Sequence, residues 1–343
     1  MESNLTPETD VLAARRRFSR LGIAAAAMYL ITIGGQLLFG WLARTYAPHL
    51  IETDWFFWTL TQAPMYLLAF PVFCLIVLPM PKSTPEENRL DAGRWFIILM
   101  ISTTVLYVGG QVGSAVMSRI NQALGRDVAN VASEVLQNSN LLMSLFAAVI
   151  IAPVLEELIF RKIIIDRTRV YGEKTAMLLS ALIFALFHGN LYQFFYALGL
   201  GLVFGYVYLK TGRVRYTIFL HMAINLVNGV IAAWILKNID LVKLQELSEK
   251  MSLPATEEQI NEFLAEITPA LPYLFALLAY ILLLMGSAIA GFALLIINRK
   301  QINFRQPEIP LPRDRAISTI FLNFGMIAMV AVCTAVFVIG LFM

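Results

Sequence analysis

Nine apolar stretches separated by short polar or basic segments set the pattern of this chain: 21–43, 55–80, 95–116, 141–165, 175–188, 191–210, 216–236, 270–297 and 316–343. A helix needs roughly 20 apolar residues to cross the hydrocarbon core of a bilayer. The pattern therefore predicts an all-α, polytopic transmembrane helix bundle of about 8–9 spans. The fifth stretch is too short to cross alone, and it breaks at His188-Gly189-Asn190. Such a break predicts a helix ending within the membrane, tolerated only against protein or a water-filled cavity. Nine segments form the preferred topology, and an eight-span form with one re-entrant segment is the alternative.

Two connecting segments are too long for simple turns. Over 117–140, Ile120, Leu124, Val128, Val131 and Val135 recur at helical spacing, which predicts an amphipathic helix at the interface. The stretch 238–269 is acidic, and Thr256-Glu257-Glu258-Gln259 has the form of a capping box that opens a short helix. Both read as solvated external caps. No repeat or low-complexity tract is present.

Composition changes the picture only by fixing the solvent. Apolar residues make up 59% of 343 and charged residues 14%, and the mean hydropathy is +0.71. A soluble chain carries about a quarter charged residues, so lipid must cover much of this surface. The net charge of +3 gives no reason to expect nucleic acid. Placement of charge says more. With the N-terminus in the cytoplasm of a cell-membrane protein, 20 of the 26 Lys and Arg fall in cytoplasmic segments, as the positive-inside bias requires. They cluster at Arg15–Arg20, Lys82–Arg94, Arg161–Lys174, Lys210–Arg215 and Arg299–Arg315. No cleavable signal is expected, and Cys74 and Cys333 read as buried small hydrophobes rather than a disulfide.

Ionisable side chains at bilayer depth cost several kcal/mol unless they are paired or face water. The fourth segment nevertheless carries Glu156, Glu157 and Arg161. Glu157 and Arg161 are four apart and share a helix face, which leaves Glu156, about 100° round the helix, free for another task. Two of the chain's three histidines also lie in apolar surroundings: His188, four after Phe184, and His221, four before Asn225. The third, His49, falls in an external loop.

A carboxylate and a histidine can activate water as general base and orienter, while a second histidine and an amide can donate to an oxyanion. These are the parts of a hydrolase acting on an amide without a nucleophilic side chain. The serine, aspartyl GxGD and HExxH zinc signatures of other proteases are absent. Two histidines and a glutamate are also a set zinc can use, so ligand type alone leaves zinc open. Histidines on separate spans, one beside an asparagine, suit hydrogen-bond donation better.

EExxxR, FxxxH and HxxxN on successive apolar helices, within about 70 residues, resemble the CAAX protease and bacteriocin-processing family, which includes the type II CAAX prenyl endopeptidases. The resemblance covers roughly 141–235. It implies that Glu156 activates water with His188, that His221 and Asn225 form the oxyanion site, that Glu157 and Arg161 support the geometry, and that no metal cofactor is used. The chain then divides into N-terminal transmembrane helices and an interfacial helix (1–140), a catalytic core (141–236), and an acidic external loop with C-terminal transmembrane helices (237–343). The implied partners are the lipid bilayer and a peptide or membrane-protein substrate.

A non-catalytic immunity or scaffold protein is the second reading. A small-molecule transporter is the third, although it would be expected to show related halves. Depth is a difficulty. Counting about 1.5 Å per residue puts His188 roughly 20 Å from the basic side, and His221 much nearer to it. Extending the fourth helix to Gly172 would move Glu156 towards mid-depth.

Overall fold

The structure is a computed structural model that describes residues 7–250 and 256–342; the side chains of 7–9, 131, 132, 137, 138, 241, 247, 250 and 266 lie outside the described ones. Its helices are α1 (Pro7–Tyr46), α2 (Asp54–Val77), α3 (Ala92–Leu124), α4 (Val131–Asn138), α5 (Leu141–Tyr171) and α6 (Glu173–Phe187). They continue as α7 (Leu191–Thr211), α8 (Val214–Lys237), α9 (Leu241–Lys250), α10 (Glu257–Asn298), α11 (Ala316–Phe321) and α12 (Phe324–Phe342). Among the described residues there is no strand, and eight segments are long and apolar enough to cross a membrane. This is a multi-pass membrane protein.

The short stretch is α6, whose 15 residues reach about 22 Å against a core of about 30 Å. It turns back on itself as the first arm of an antiparallel hairpin with α7. Ala181 packs where a Cβ on Gly201 would sit, and Met177 packs likewise against Gly205. At the open end Lys210 reaches Glu173 at 2.9 Å. The hairpin therefore enters and leaves at one end of the bundle, and with α6 too short to span, the eight spanning segments fit the eight-span alternative rather than nine full spans.

Gly189 makes the turn possible, because its φ of 67° is one that side-chain-bearing residues rarely adopt. Asn190 locks the turn: its side chain accepts from the Gln193 amide at 2.9 Å and donates to the His188 carbonyl at 2.9 Å.

The basic segments meet on one face. Arg305 contacts Glu86 at 2.6 Å, Arg213 contacts Glu87 at 3.2 Å, and Arg169 donates to Ser83 at 2.7 Å. The Ile309 amide donates to the Val170 carbonyl at 2.9 Å, so the segment after α10 lies across the ends of α5 and α6. Arg17 covers the Tyr171 ring at 5.3 Å. At the opposite face Asn140 donates to Asp54 at 2.8 Å, and Arg126 contacts the Leu341 carbonyl.

Three expectations are corrected. The 117–140 segment is not one amphipathic helix: Ile120 and Leu124 belong to the end of α3, which stops at Gly125 in a left-handed conformation (φ 66°). Val128 lies in the following loop, and Asn130 caps a separate α4. The capping box is present, with Gln259 N to Thr256 Oγ1 at 3.2 Å and Thr256 N to Gln259 Oε1 at 3.0 Å. It opens a 42-residue helix that runs unbroken into the membrane, however, and not a short one. Finally, the 316–343 stretch is split, because the Asn323 side chain accepts from the Met326 amide at 3.0 Å and so starts α12 afresh.

One hydrophobic core joins the two ends of the chain to its centre. Phe18, Met28 and Phe73 from the first helices, Phe160 and Phe184 from the centre, and Met326 and Cys333 from α12 belong to the same buried cluster. Cys74 and Cys333 are both free thiols.

Candidate active site

Glu156 lies midway along α5, between Leu141 and Tyr171. The helix around it is π-helical over Leu145–Ile151 and Leu158–Ile165, a distortion frequent at functional sites. The depth difficulty is resolved by the length of α5. Glu157 is two turns further from the basic end of α5 than His221 is from the start of α8, and the two helices run antiparallel. The basic end of α5 therefore overshoots α8 by about 10 Å, which lets His221 meet the glutamates.

Four ionisable side chains from α5 and α8 converge. Arg161 Nε and Glu157 Oε2 are 3.1 Å apart, and both side chains are fully buried. The other Glu157 oxygen lies 3.1 Å from His221 Nδ1. His221 Nε2 faces Glu156 Oε2 at 3.8 Å, and Glu156 retains 20% of its side-chain exposure. Glu157 is thus enclosed between Arg161 and His221, whereas Glu156 opens outward. The guanidinium of Arg161 rests on the Phe184 ring at 4.4 Å. None of its nitrogens has an acceptor in hydrogen-bonding geometry among the described residues, so the contact with Glu157 is an ion pair lacking that alignment.

His188 ends α6. Its Nδ1 donates to the Phe184 carbonyl at 2.9 Å, which leaves Nε2 as the lone-pair nitrogen of the neutral ring. Phe184 stands between the histidines, its ring 4.8 Å from His188 and 5.9 Å from His221. Asn225 donates one amide hydrogen to the Ala148 carbonyl at 2.8 Å, tying α8 to α5 and leaving the other hydrogen available. Among the described residues no three His, Cys, Asp or Glu side chains form a metal-holding group.

Sequence reasoning missed several neighbours. The Tyr66 side chain, from a π-helical stretch of α2, reaches Glu156. Thr217, one turn before His221, lies against Glu157, and Tyr196 presents its ring 6.4 Å from that of His188. Of these, only Thr217 left a sequence signal, as the residue four before His221 on the same face.

Residues 138–227 match the family model for the Rce1-like type II CAAX prenyl endopeptidases. Among curated proteins, the membrane-embedded CAAX protease MroQ of Staphylococcus aureus is 28% identical over 192 residues, covering 53% of this chain and 76% of that protein. YdiL of Bacillus subtilis, named for a membrane peptidase, is 28% identical over 166 residues, covering 47% of this chain and 66% of that protein, just under two thirds. No solved structure matches the chain. The matched stretch carries Glu156, Glu157, Arg161, His188, His221 and Asn225 and no part of α1–α3 or α10–α12. In this central segment the chain is similar to the Rce1-like family of membrane peptidases.

Proposed function

We propose that the protein is an intramembrane endopeptidase that hydrolyses a peptide or membrane-protein segment with water activated by Glu156, without a metal. The observation that carries this reading is the unequal treatment of the two adjacent glutamates. Glu157 is enclosed by Arg161 and His221, while Glu156 is exposed on one side and within 3.8 Å of His221.

In this reading Glu156 takes a proton from water, and the His188 Nε2 lone pair accepts the water's second hydrogen and so orients it. The hydroxide adds to the scissile carbonyl carbon. Asn225 uses its remaining amide hydrogen on the oxyanion, and His221 donates from Nε2, which must then carry a proton while Nδ1–H is held by Glu157. The proton held by Glu156 passes to the departing amine as the C–N bond breaks. Phe160, Phe184 and Phe204, all buried, keep bulk water away and strengthen these contacts. The face gathering the basic segments is cytoplasmic, and the N-terminus lies on that side of the cell membrane.

Glu156→Gln should abolish cleavage of the native membrane substrate while leaving the purified protein folded and monodisperse. Full activity in that variant would refute the glutamate mechanism. A strong chelator should leave the wild-type rate unchanged, and activity lost to chelator and restored by zinc would overturn the metal-free reading.

A further inference from the structure

On the side of the catalytic group away from the basic face, a cavity of about 270 Å³ opens between α3, α7, α8 and α10. Along α3 its lining runs from Thr103 to Ser114, a length of about 16 Å. Its inner wall is Tyr196, the tyrosine beside His188. Asn228 lines it from α8, one turn beyond Asn225.

The lining mixes apolar groups such as Leu106 and Leu284 with neutral polar ones, and carries no Asp, Glu, Lys, Arg or His. Gln111 and Ser114 are exposed to the cavity and make no hydrogen bond among the described residues. Asn228 spends an amide hydrogen on the Ile224 carbonyl at 3.1 Å, leaving its oxygen to accept. Tyr192 and Tyr196 are held in place, by the Val128 carbonyl at 2.9 Å and by Gln193 at 2.7 Å.

Neutral donors and acceptors at membrane depth suit a neutral ligand with the same needs. A peptide backbone is such a ligand, with one donor and one acceptor per residue. A transmembrane segment must unwind before its amide bond can be attacked, and unwound backbone in the bilayer is tolerated only where protein or trapped water satisfies it. A phospholipid headgroup would call for a cation at its phosphate, and the lining has none.

We propose that this cleft is the substrate-binding site, holding about five extended residues of the unwound segment. The bound stretch runs from the catalytic group towards the face opposite the basic loops. This rests on the peptidase reading above, and the test separates the two.

The full-length Glu156→Gln variant would be reconstituted in phosphatidylcholine–phosphatidylglycerol vesicles. The probe is a 24-residue alanine–leucine transmembrane peptide with a central Asn-Gly and an adjacent benzophenone side chain. Crosslinks mapped by mass spectrometry should fall on α3 between Thr103 and Ser114 and on α8 near Asn228. Gln111→Met and Ser114→Ala, which keep the volume and remove the hydrogen-bonding groups, should each weaken capture about 2–10-fold. Crosslinks absent from those positions, or a photoactivatable phosphatidylglycerol labelling them in place of the peptide, would overturn the proposal. Because capture is read in a variant without the proposed base, it can fail while the mechanism stands, and the mechanism can fail while capture stands.

Discussion

Replacing one glutamate of the adjacent pair should unfold the protein far more readily than replacing the other. Glu157 is fully buried, 3.1 Å from Arg161 Nε and 3.1 Å from His221 Nδ1. At an effective dielectric constant of about 20, a unit charge pair at that separation attracts by about 5 kcal/mol. Removing one member of a buried pair costs about 3–5 kcal/mol, because the remaining charge stays desolvated. Phe184, 4.4 Å from the guanidinium, returns at most about 2 kcal/mol of cation–π attraction, already present in the parent. Glu157→Gln should therefore destabilise by about 3–5 kcal/mol.

Glu156 is partly exposed and 3.8 Å from His221, so Glu156→Gln should cost below about 1 kcal/mol. Adding Arg161→Met to Glu157→Gln removes the stranded cation. The double variant should accordingly be more stable than the sum of the singles by about 1–3 kcal/mol. Reversible unfolding in mixed detergent micelles, followed by circular dichroism and tryptophan fluorescence, measures all four. Additive singles, or a Glu156 variant less stable than the Glu157 variant, would refute the reasoning.

Two further outcomes follow from packing and from charge. A methyl group on Gly109 would fall on the backbone N and Cα of Tyr196, whereas one on Gly110 meets nothing within 4 Å. Gly109→Ala should thus separate α3 from the start of α7 and cost about 1–3 kcal/mol with loss of cleavage, while Gly110→Ala should be neutral or stabilising in the same unfolding assay. On the basic face, Arg305 holds the Glu86 carboxyl below the usual glutamate range through a hydrogen bond and its charge. Glu86 therefore binds a proton less readily when folded. Its contribution is complete above about pH 4.3, the unfolded value, and is lost as pH falls through the lower folded value. Protease resistance of the 302–315 segment should decline in that acid window and with added salt, and Glu86→Gln should remove the pH dependence.

How much of this was legible beforehand differs from element to element. The break at Gly189-Asn190 was readable because a left-handed glycine and a capping asparagine act within a few residues. The Glu157–Arg161 pairing was readable because helical spacing alone brings residues four apart together. The end of α3 was not, since Gly125 interrupted a spacing that otherwise continued through 135. The run-on from the Thr256 cap into α10 was hidden because a cap marks where a helix starts and says nothing of where it ends.

Membrane residence, the positions of the apolar segments and the set of polar residues within them were determined by the sequence itself, because lipid penalises every exposed polar group and so writes the spans into one-dimensional pattern. Tertiary structure alone decided that His221 pairs with Glu157 and faces Glu156, that Asn225 ties α8 to Ala148, and that Tyr66 and Tyr196 join the site from outside its motifs. Those contacts depend on where helices cross and how far each overshoots its neighbour. Such relations arise between segments and leave no local periodicity to read.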